Sequence, residues 1–450
     1  MNEKQLEAVK SLENTLVVAG AGSGKTFTIV NKIKYLLDNN IYKENELLII
    51  SFTNESVNDL KRKIDYDLDI MTFHKLAITL INNPDMKISN EYYLKYIINE
   101  YFNSYGKYNK KQNKLIKRIL QEMDIDNLKK LIFTFINLYK SNYNDINYLL
   151  NLYQKSHFIN KIYFKIILEI YHIYNQEIES SNLYDFNDMI KIATNNINNN
   201  IIKTNYKYII IDEFQDTSLN RFKLIDAIMK QNNAKIFVVG DDYQSIYRFS
   251  GCNLDIFLNF NKLVSNLNII NLDYNYRNPK EIIDVANSFI MKNKNQIKKE
   301  TICLKNINKP IKICFYKNKR TAIEKILKYI DTKYLILGRN NTDKDLFNVQ
   351  DKPFLTIHKS KGLEEDNIIL INLTNNNNNS LPSKIKNHKI INKLIKTDYY
   401  PYEEERRLFY VALTRTRNNI YLLVPKSNYS IFIKELMKNY KNYIEYININ

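Results

Sequence analysis

The sequence predicts an α/β protein with two parallel-sheet units and a helical insertion inside the first. Three observations predict it. Short apolar runs rich in β-branched residues (LVVAG, ELLIISF, YIIID, KIFVVGD, YLILG, NIILIN and IYLLV) recur between longer helical stretches, as parallel strands joined by helices do. Several end in Gly, Asp, Ser or Asn ahead of polar loops, at the strand ends where such sheets place ligands. Between 84 and 181 the texture changes: LKKLIFTFINLYK and FINKIYFKIILEIYHIY carry Tyr, Ile, Leu and Phe at helical spacing with no strand pattern.

At 450 residues the chain is too long for one core. The expected division is 1–83 with 182–270 as the first unit, 84–181 as its helical insertion, and 271–450 as the second unit. No apolar run reaches the roughly 18 residues of a membrane span, and MNEKQLEAVK has no signal-peptide core. Cys252, Cys303 and Cys314 show no metal-ligand spacing and suit a reducing compartment. An intracellular, soluble chain is expected, cytoplasmic if its source is bacterial, with no membrane partner. The net charge of +18 points to a polyanion, although the Asn, Lys, Ile and Tyr bias of an A/T-rich coding sequence also raises lysine. The eleven arginines say more, because guanidinium offers a bidentate fork that ammonium lacks.

Three of only eight glycines, Gly20, Gly22 and Gly24, fall in AGAGSGKT, the residues Ala19, Gly20, Ala21, Gly22, Ser23, Gly24, Lys25 and Thr26. Such a loop between strand and helix turns backbone N–H groups onto phosphates; Lys25 reaches the β/γ-phosphates and the Thr26 hydroxyl can hold Mg²⁺. ATP and Mg²⁺ are the ligands expected. YIIIDEFQDTS ends a buried strand at Asp212 and Glu213, one carboxylate for the Mg²⁺ shell and the other to polarise an attacking water. IFVVGDDYQSIYRFSGC adds a third strand end with Gln244, Arg248 and Gly251.

DEFQD, GDDYQSIYRFSG, LDYNYRNP, TIHKSKGLE and EEERRLFYVALTRTR, in this order, resemble the motifs of UvrD/Rep-like superfamily 1 helicases, whose fold is two RecA-like P-loop NTPase cores. The resemblance implies Gln5 and Tyr276 on the adenine and Glu364 on the ribose. It implies Gln244, Arg277 and Arg415 on the γ-phosphate beside Glu213. Phe52, Thr53, Asn54, Thr72, His74, Tyr247, Phe249, Thr356, His358 and Lys361 would line a single-strand track, where aromatic stacking tolerates any base. Glu403, Glu404 and Glu405 read as first-turn acids that suit a helix dipole. The chain departs from the pattern at Phe27, where the family has Arg on the adenine, and at Phe249-Ser250, where it has Trp-Arg. Arg339 and Thr356 lie only 17 positions apart, too few for the mobile 2B subdomain found there in the family.

These features predict an ATP-dependent single-stranded DNA translocase and helicase, 3′→5′ by resemblance, acting at single/double-strand junctions. An RNA-directed motor and a nucleotide-gated binding switch are the alternatives. Intact Glu213, Gln244, Arg277 and Arg415 favour turnover over a switch. No feature specifies a protein partner.

Overall fold

The computed structural model describes residues 1–108, 110–376, 379–396 and 398–449. The seven apolar runs become inner strands of two six-stranded sheets, parallel at every pairing, and Ile311–Tyr316 is an inner strand outside them. The first has the spatial order Asp69–Met71, Leu47–Ile50, Tyr208–Ile211, Lys235–Gly240, Asn14–Ala19, Leu267–Leu272. The second runs Phe354–Thr356, Tyr334–Gly338, Glu365–Leu370, Thr416–Pro425, Ile311–Tyr316, Ile444–Asn448. These are the two RecA-like cores.

Why the inner strands read as unbroken apolar runs follows from burial on both faces. Leu16, Val18, Ile209, Ile211 and Val238 pack on one side of the first sheet, and Val17, Ala19, Ile210 and Val239 on the other with Ile29 and Ile33. In the second sheet Ile368, Leu370 and Leu422 face one cluster, and Ile336, Ile369 and Leu423 the other. The division expected at 270/271 falls inside the strand Leu267–Leu272, whose residues pair along all of Asn14–Ala19. Sheet membership of the first unit therefore reaches Leu272.

Five helices, Glu91–Tyr108, Lys110–Leu120, Ile125–Asn142, Ile146–Lys155 and Phe158–Ser180, form a separate layer around Phe135, Ile136, Phe164 and Ile167. A two-stranded parallel pair, Lys87–Ile88 with Leu183–Tyr184, ties the layer's two ends together. Lys140, wholly buried, binds Asp185 at 2.5 Å and Asp188 at 2.7 Å, and the Tyr174 hydroxyl donates to Asp185 at 2.8 Å. Asp185 also caps the next helix, Phe186–Asn198. The layer also takes in a part of the second unit. Ile390, Ile391 and Leu394 pack into its core, and Tyr143 and Tyr148 donate their hydroxyls to the carbonyls of Leu394 and Lys393 at 3.1 and 3.2 Å.

Gly338 pairs with Thr356 in the second sheet. The chain between them holds one short helix, Asp343–Leu346.

Candidate active site and nucleic-acid interface

The buried strand Asn14–Ala19 delivers the glycine loop to the helix Lys25–Asp38, whose N-terminus has no side-chain cap. Its first N–H groups are therefore directed at the loop. Gly22, at φ 67°, has no room for a side chain: a Cβ would lie 2.7 Å from that of Arg277. The second unit closes on this loop through backbone and amide alike. Tyr276 N–H donates to Gly22 O at 2.8 Å, and Asn275 Nδ2 to Ala21 O at 2.6 Å.

Gly22, Ser23, Gly24, Lys25, Thr26, Glu213, Gln244, Tyr276, Arg277, Glu364 and Arg415 line one cleft of about 450 Å³ between the two units, joined by Phe27, Lys305 and Arg417. The structure thus brings together motifs spread from Gly22 to Arg417. Ala19 and Ala21 are buried behind the loop. Gln5 is buried beside it, its Nε2 donating to Ser23 O at 3.2 Å and its Oε1 accepting from Asn2 N–H at 3.1 Å. Tyr276 and Phe27 are each half exposed at 50%, so two aromatic faces stand at the mouth. Glu364, expected at the ribose, is held by Arg277 Nε and by Arg417 Nη2 at 2.8 Å. Although burial opposes it, these two guanidiniums keep its carboxyl below the usual range.

Charges in the cleft pair across it. Lys25 Nζ lies 2.7 Å from Glu213 Oε1. Burial acts to raise the Glu213 carboxyl, but Lys25 and then Lys361 overcome it and hold it ionised. Glu213 also adopts φ 50°, a left-handed backbone rare outside glycine and costing ~1 kcal/mol. Burial, then the Glu213 charge, pushes Asp212 up to about 6. Asp212 takes part in no ion pair among the described residues, and its Oδ1 accepts from Glu213 N–H at 2.9 Å. A buried carboxylate with no ion pair among the described residues fits a divalent ion shared with phosphate oxygens.

Arg415 is the extreme case. It is 1% exposed, and its acceptors are all neutral: Val411 O at 3.1 Å, Leu363 O at 3.2 Å, Gln244 Oε1 at 3.0 Å and Thr414 Oγ1 at 3.4 Å. Burial and the neighbouring Arg277 lower its pKa to about 9. A guanidinium desolvated without a counter-ion favours an anion entering the cleft.

Beside the cleft lies a row of rings. Phe52 stacks on Tyr247 with centroids 6.0 Å apart, Tyr247 lies 6.1 Å from Phe249, and Phe249 meets His358 edge-on at 5.5 Å. The Tyr247 hydroxyl donates to His358 O at 2.9 Å, so the row spans both units. Thr53 and Thr72 cap the helices Asn54–Lys63 and Phe73–Ile81, and Asn54 is exposed at the first of these ends. His74 stacks on Phe186 at 4.3 Å. Burial lowers His74 and His358 to about 4, so both are neutral imidazoles at pH 7. Thr356 is largely buried, its hydroxyl accepting from Lys359 N–H at 3.4 Å.

Lys361, expected on the strand, is placed differently: its ammonium binds Asp216, lies 3.3 Å from Glu213 and sits over the Tyr247 ring at 5.3 Å. The acids Glu403, Glu404 and Glu405 do more than suit a dipole. Glu404 binds Arg248 at 3.0 Å, Glu405 takes Arg339 in a fork, and Glu403 accepts from Asn293 Nδ2 at 2.7 Å. Sequence reasoning passed over Arg221, whose guanidinium lies 4.8 Å from the Phe52 ring, and Lys299, buried against Asp241 at 2.5 Å and Asp242. The scarcity of arginine was the available signal for the first; Lys299 lies in no motif.

Similarity to known proteins agrees with this geometry. The sequence profile of the UvrD/REP helicase N-terminal domain matches residues 1–265, and that of the UvrD-like helicase C-terminal domain matches 332–427. The ATP-dependent DNA helicase Rep of Buchnera aphidicola subsp. Schizaphis graminum is 29% identical over 376 residues, which cover 79% of this chain and 55% of that protein. DNA helicase IV of Escherichia coli is 27% identical over 481 residues, covering 98% and 70%. The probable DNA helicase II homolog of Mycoplasma capricolum is 33% identical over 320 residues, covering 67% and 42%. The chain thus spans from under half to about two thirds of these relatives' lengths. With the N-terminal profile matching more than half of the chain, and the glycine loop, paired strand-end acids and opposed arginines meeting in one cleft, the chain belongs to the UvrD/REP helicase family.

Proposed function

We propose that this chain is an ATP-dependent DNA helicase that moves along single-stranded DNA by opening and closing the cleft between its two RecA-like cores. The observation that carries the reading is that one loop serves both sites: Gln244 faces the cleft, while Tyr247 and Phe249, a few residues on, belong to the ring row. A shift of this loop with the nucleotide's state moves stacking surfaces for bases.

The mechanism follows from the pairings. Phosphates of ATP settle on the loop N–H groups, and Lys25 exchanges Glu213 for phosphate oxygen. Glu213, released, accepts a proton from the attacking water. Arg415 meets the charge its surroundings withhold, and Arg277 leaves Glu364 for the γ-phosphate. Thr26 and Asp212 would hold Mg²⁺, which neutralises phosphate charge when bound. Gln5, Phe27 and Tyr276 frame the base. Cations from the second unit thus draw the cores together, and loss of γ-phosphate returns Arg277 and Lys25 to their carboxylates.

Supporting a minimal architecture without the 2B subdomain, the segment between Gly338 and Thr356 is short and ends in direct strand pairing. The units 1–83 with 182–272, 84–181 and 273–450 are the moving parts in this reading. The track residues act on the strand at single/double-strand junctions, with 3′→5′ polarity. The test is ATP hydrolysis with and without (dT)16, with Lys25→Ala as blank, then unwinding of duplexes bearing a 3′ or a 5′ tail. Stimulation of at least tenfold and unwinding from the 3′ tail are expected. Hydrolysis indifferent to the strand overturns the motor, and unwinding from the 5′ tail alone overturns the polarity.

A further inference from the structure

Away from the cleft, a cavity of about 730 Å³ opens between the helical layer and the outer helices of the first sheet. Its wall includes Asn144, Asp145, Tyr171, His172, Lys191 and Lys223. Asn144 is 5% exposed. The Tyr171 hydroxyl donates to its Oδ1 at 3.1 Å and Lys191 Nζ to its carbonyl at 2.8 Å, while its buried Nδ2 donates to none of the described residues. An orphaned buried amide costs ~1–3 kcal/mol, and such groups mark unmet partners. Lys223 has no ion-pair partner among the described residues, and Asp145 spends its carboxylate on capping the helix Ile146–Lys155.

We propose that this cavity binds a phosphate ester. Lys223, Lys191 and His172 line the cavity with hydrogen-bond donors, and the volume matches a nucleotide-sized ligand. Its place in the fold supplies a source. Lys191 follows Phe186 by five positions on the helix Phe186–Asn198, about 7.5 Å of rise. Phe186 is the ring on which His74 stacks, so one helix carries both a wall residue of the cavity and the neighbour of a proposed track residue. The ester is therefore either the backbone of a strand passing beyond His74 or a separate nucleoside monophosphate. The strand source rests on the DNA-binding reading, while the monophosphate arm of the test reads the cavity without it.

The test is calorimetric titration of the whole chain with thymidine 5′-monophosphate and, separately, with (dT)16. It compares the wild type with Lys223→Glu and Asn144→Asp. The latter keeps a side chain that tolerates φ 44° but replaces the donor with a charge that repels phosphate; Asn144→Gly replaces it if the aspartate variant does not fold. Weakening of at least fivefold in both variants is expected. If it appears with the monophosphate, the ligand is a separate nucleotide; if only with (dT)16, it is strand backbone. Lys25→Ala is expected to leave monophosphate binding unchanged, which separates this cavity from the cleft. Affinities unaltered in both variants, or weakened by Lys223→Glu alone, overturn the proposal.

Discussion

Arg415, on the turn after the helix Glu403–Leu413, donates from Nη2 to Gln244 Oε1 at 3.0 Å, joining the second unit to the first. Gln244 in turn donates from Nε2 to Asp241 at 2.6 Å. Removing either partner takes a buried hydrogen bond from the other, so the two act as one device. Arg415→Ala and Gln244→Ala are each expected to lower kcat for ATP about 10³-fold. The double variant should fall little further, as residues acting together are non-additive. Steady-state hydrolysis of the three variants measures this, and full additivity would refute the coupling.

Phe27 and Tyr276 present two half-exposed rings at the mouth of the cleft. Phe27→Ala is expected to raise KM for ATP about tenfold with kcat unchanged, a loss of ~1.4 kcal/mol of binding. The Phe27→Leu variant should fall between. Equal KM values in all three proteins would show that the base rests elsewhere.

The cluster of Lys140, Asp185, Asp188 and Tyr174 fastens the helical layer to the first sheet. Lys140→Met strands two carboxylates in a buried site, and ~3–5 kcal/mol of stability is expected to go with it. Urea unfolding followed by circular dichroism reads the loss. A midpoint within error of the wild type would count against any fastening role.

Lys32 is wholly buried, its ammonium donating to the carbonyls of Val9, at 3.0 Å, and Ser11. Burial lowers its pKa to about 7. Because the unfolded chain binds this proton up to about pH 10.4, Lys32 makes the fold gain stability as pH rises from about 7 toward 10. The gain is at most ~1.4 kcal/mol per pH unit. Denaturant unfolding at pH 7, 8 and 9 should show a smaller slope in Lys32→Met than in the wild type. Parallel slopes would mean that the lysine stays charged in the fold.

His74 and His358 stay neutral down to about pH 4 because both are buried. Affinity for (dT)16 should therefore show no histidine-driven rise between pH 8 and 6, while Tyr247→Ala should weaken it about tenfold through lost stacking. Fluorescence anisotropy across that range is the measurement. A steep gain in affinity near pH 6.5 would place an imidazolium on phosphate.

Inner strands such as Tyr208–Ile211 and Glu365–Leu370 were legible because burial on both faces leaves unbroken apolar runs. The outer strands Asp69–Met71, Phe354–Thr356 and Ile444–Asn448 were not: each is short or carries exposed residues, and edge position rather than local pattern makes it a strand. Leu267–Leu272 carries Asn268 and Asn271 and exposes Ile269 for the same reason, which displaced the expected division by two residues. Residues of the cleft were legible wherever they sit in the loop after a strand. Their pairings were not. Lys361 meets Asp216 across 145 positions and Arg415 meets Gln244 across 171, and nothing local in either stretch encodes its partner. Lys361 shows the consequence: the resemblance put it on the strand, and its ammonium turns inward to Glu213 and Asp216.

The segment that carries Ile390, Ile391 and Leu394 into the helical layer gives the second unit an attachment there, besides the chain crossing after Leu272 and the pairings across the cleft. If the cores swing as proposed, the helical layer either travels with this segment or releases it. The anchor therefore ties the position of the helical layer to the opening of the cleft.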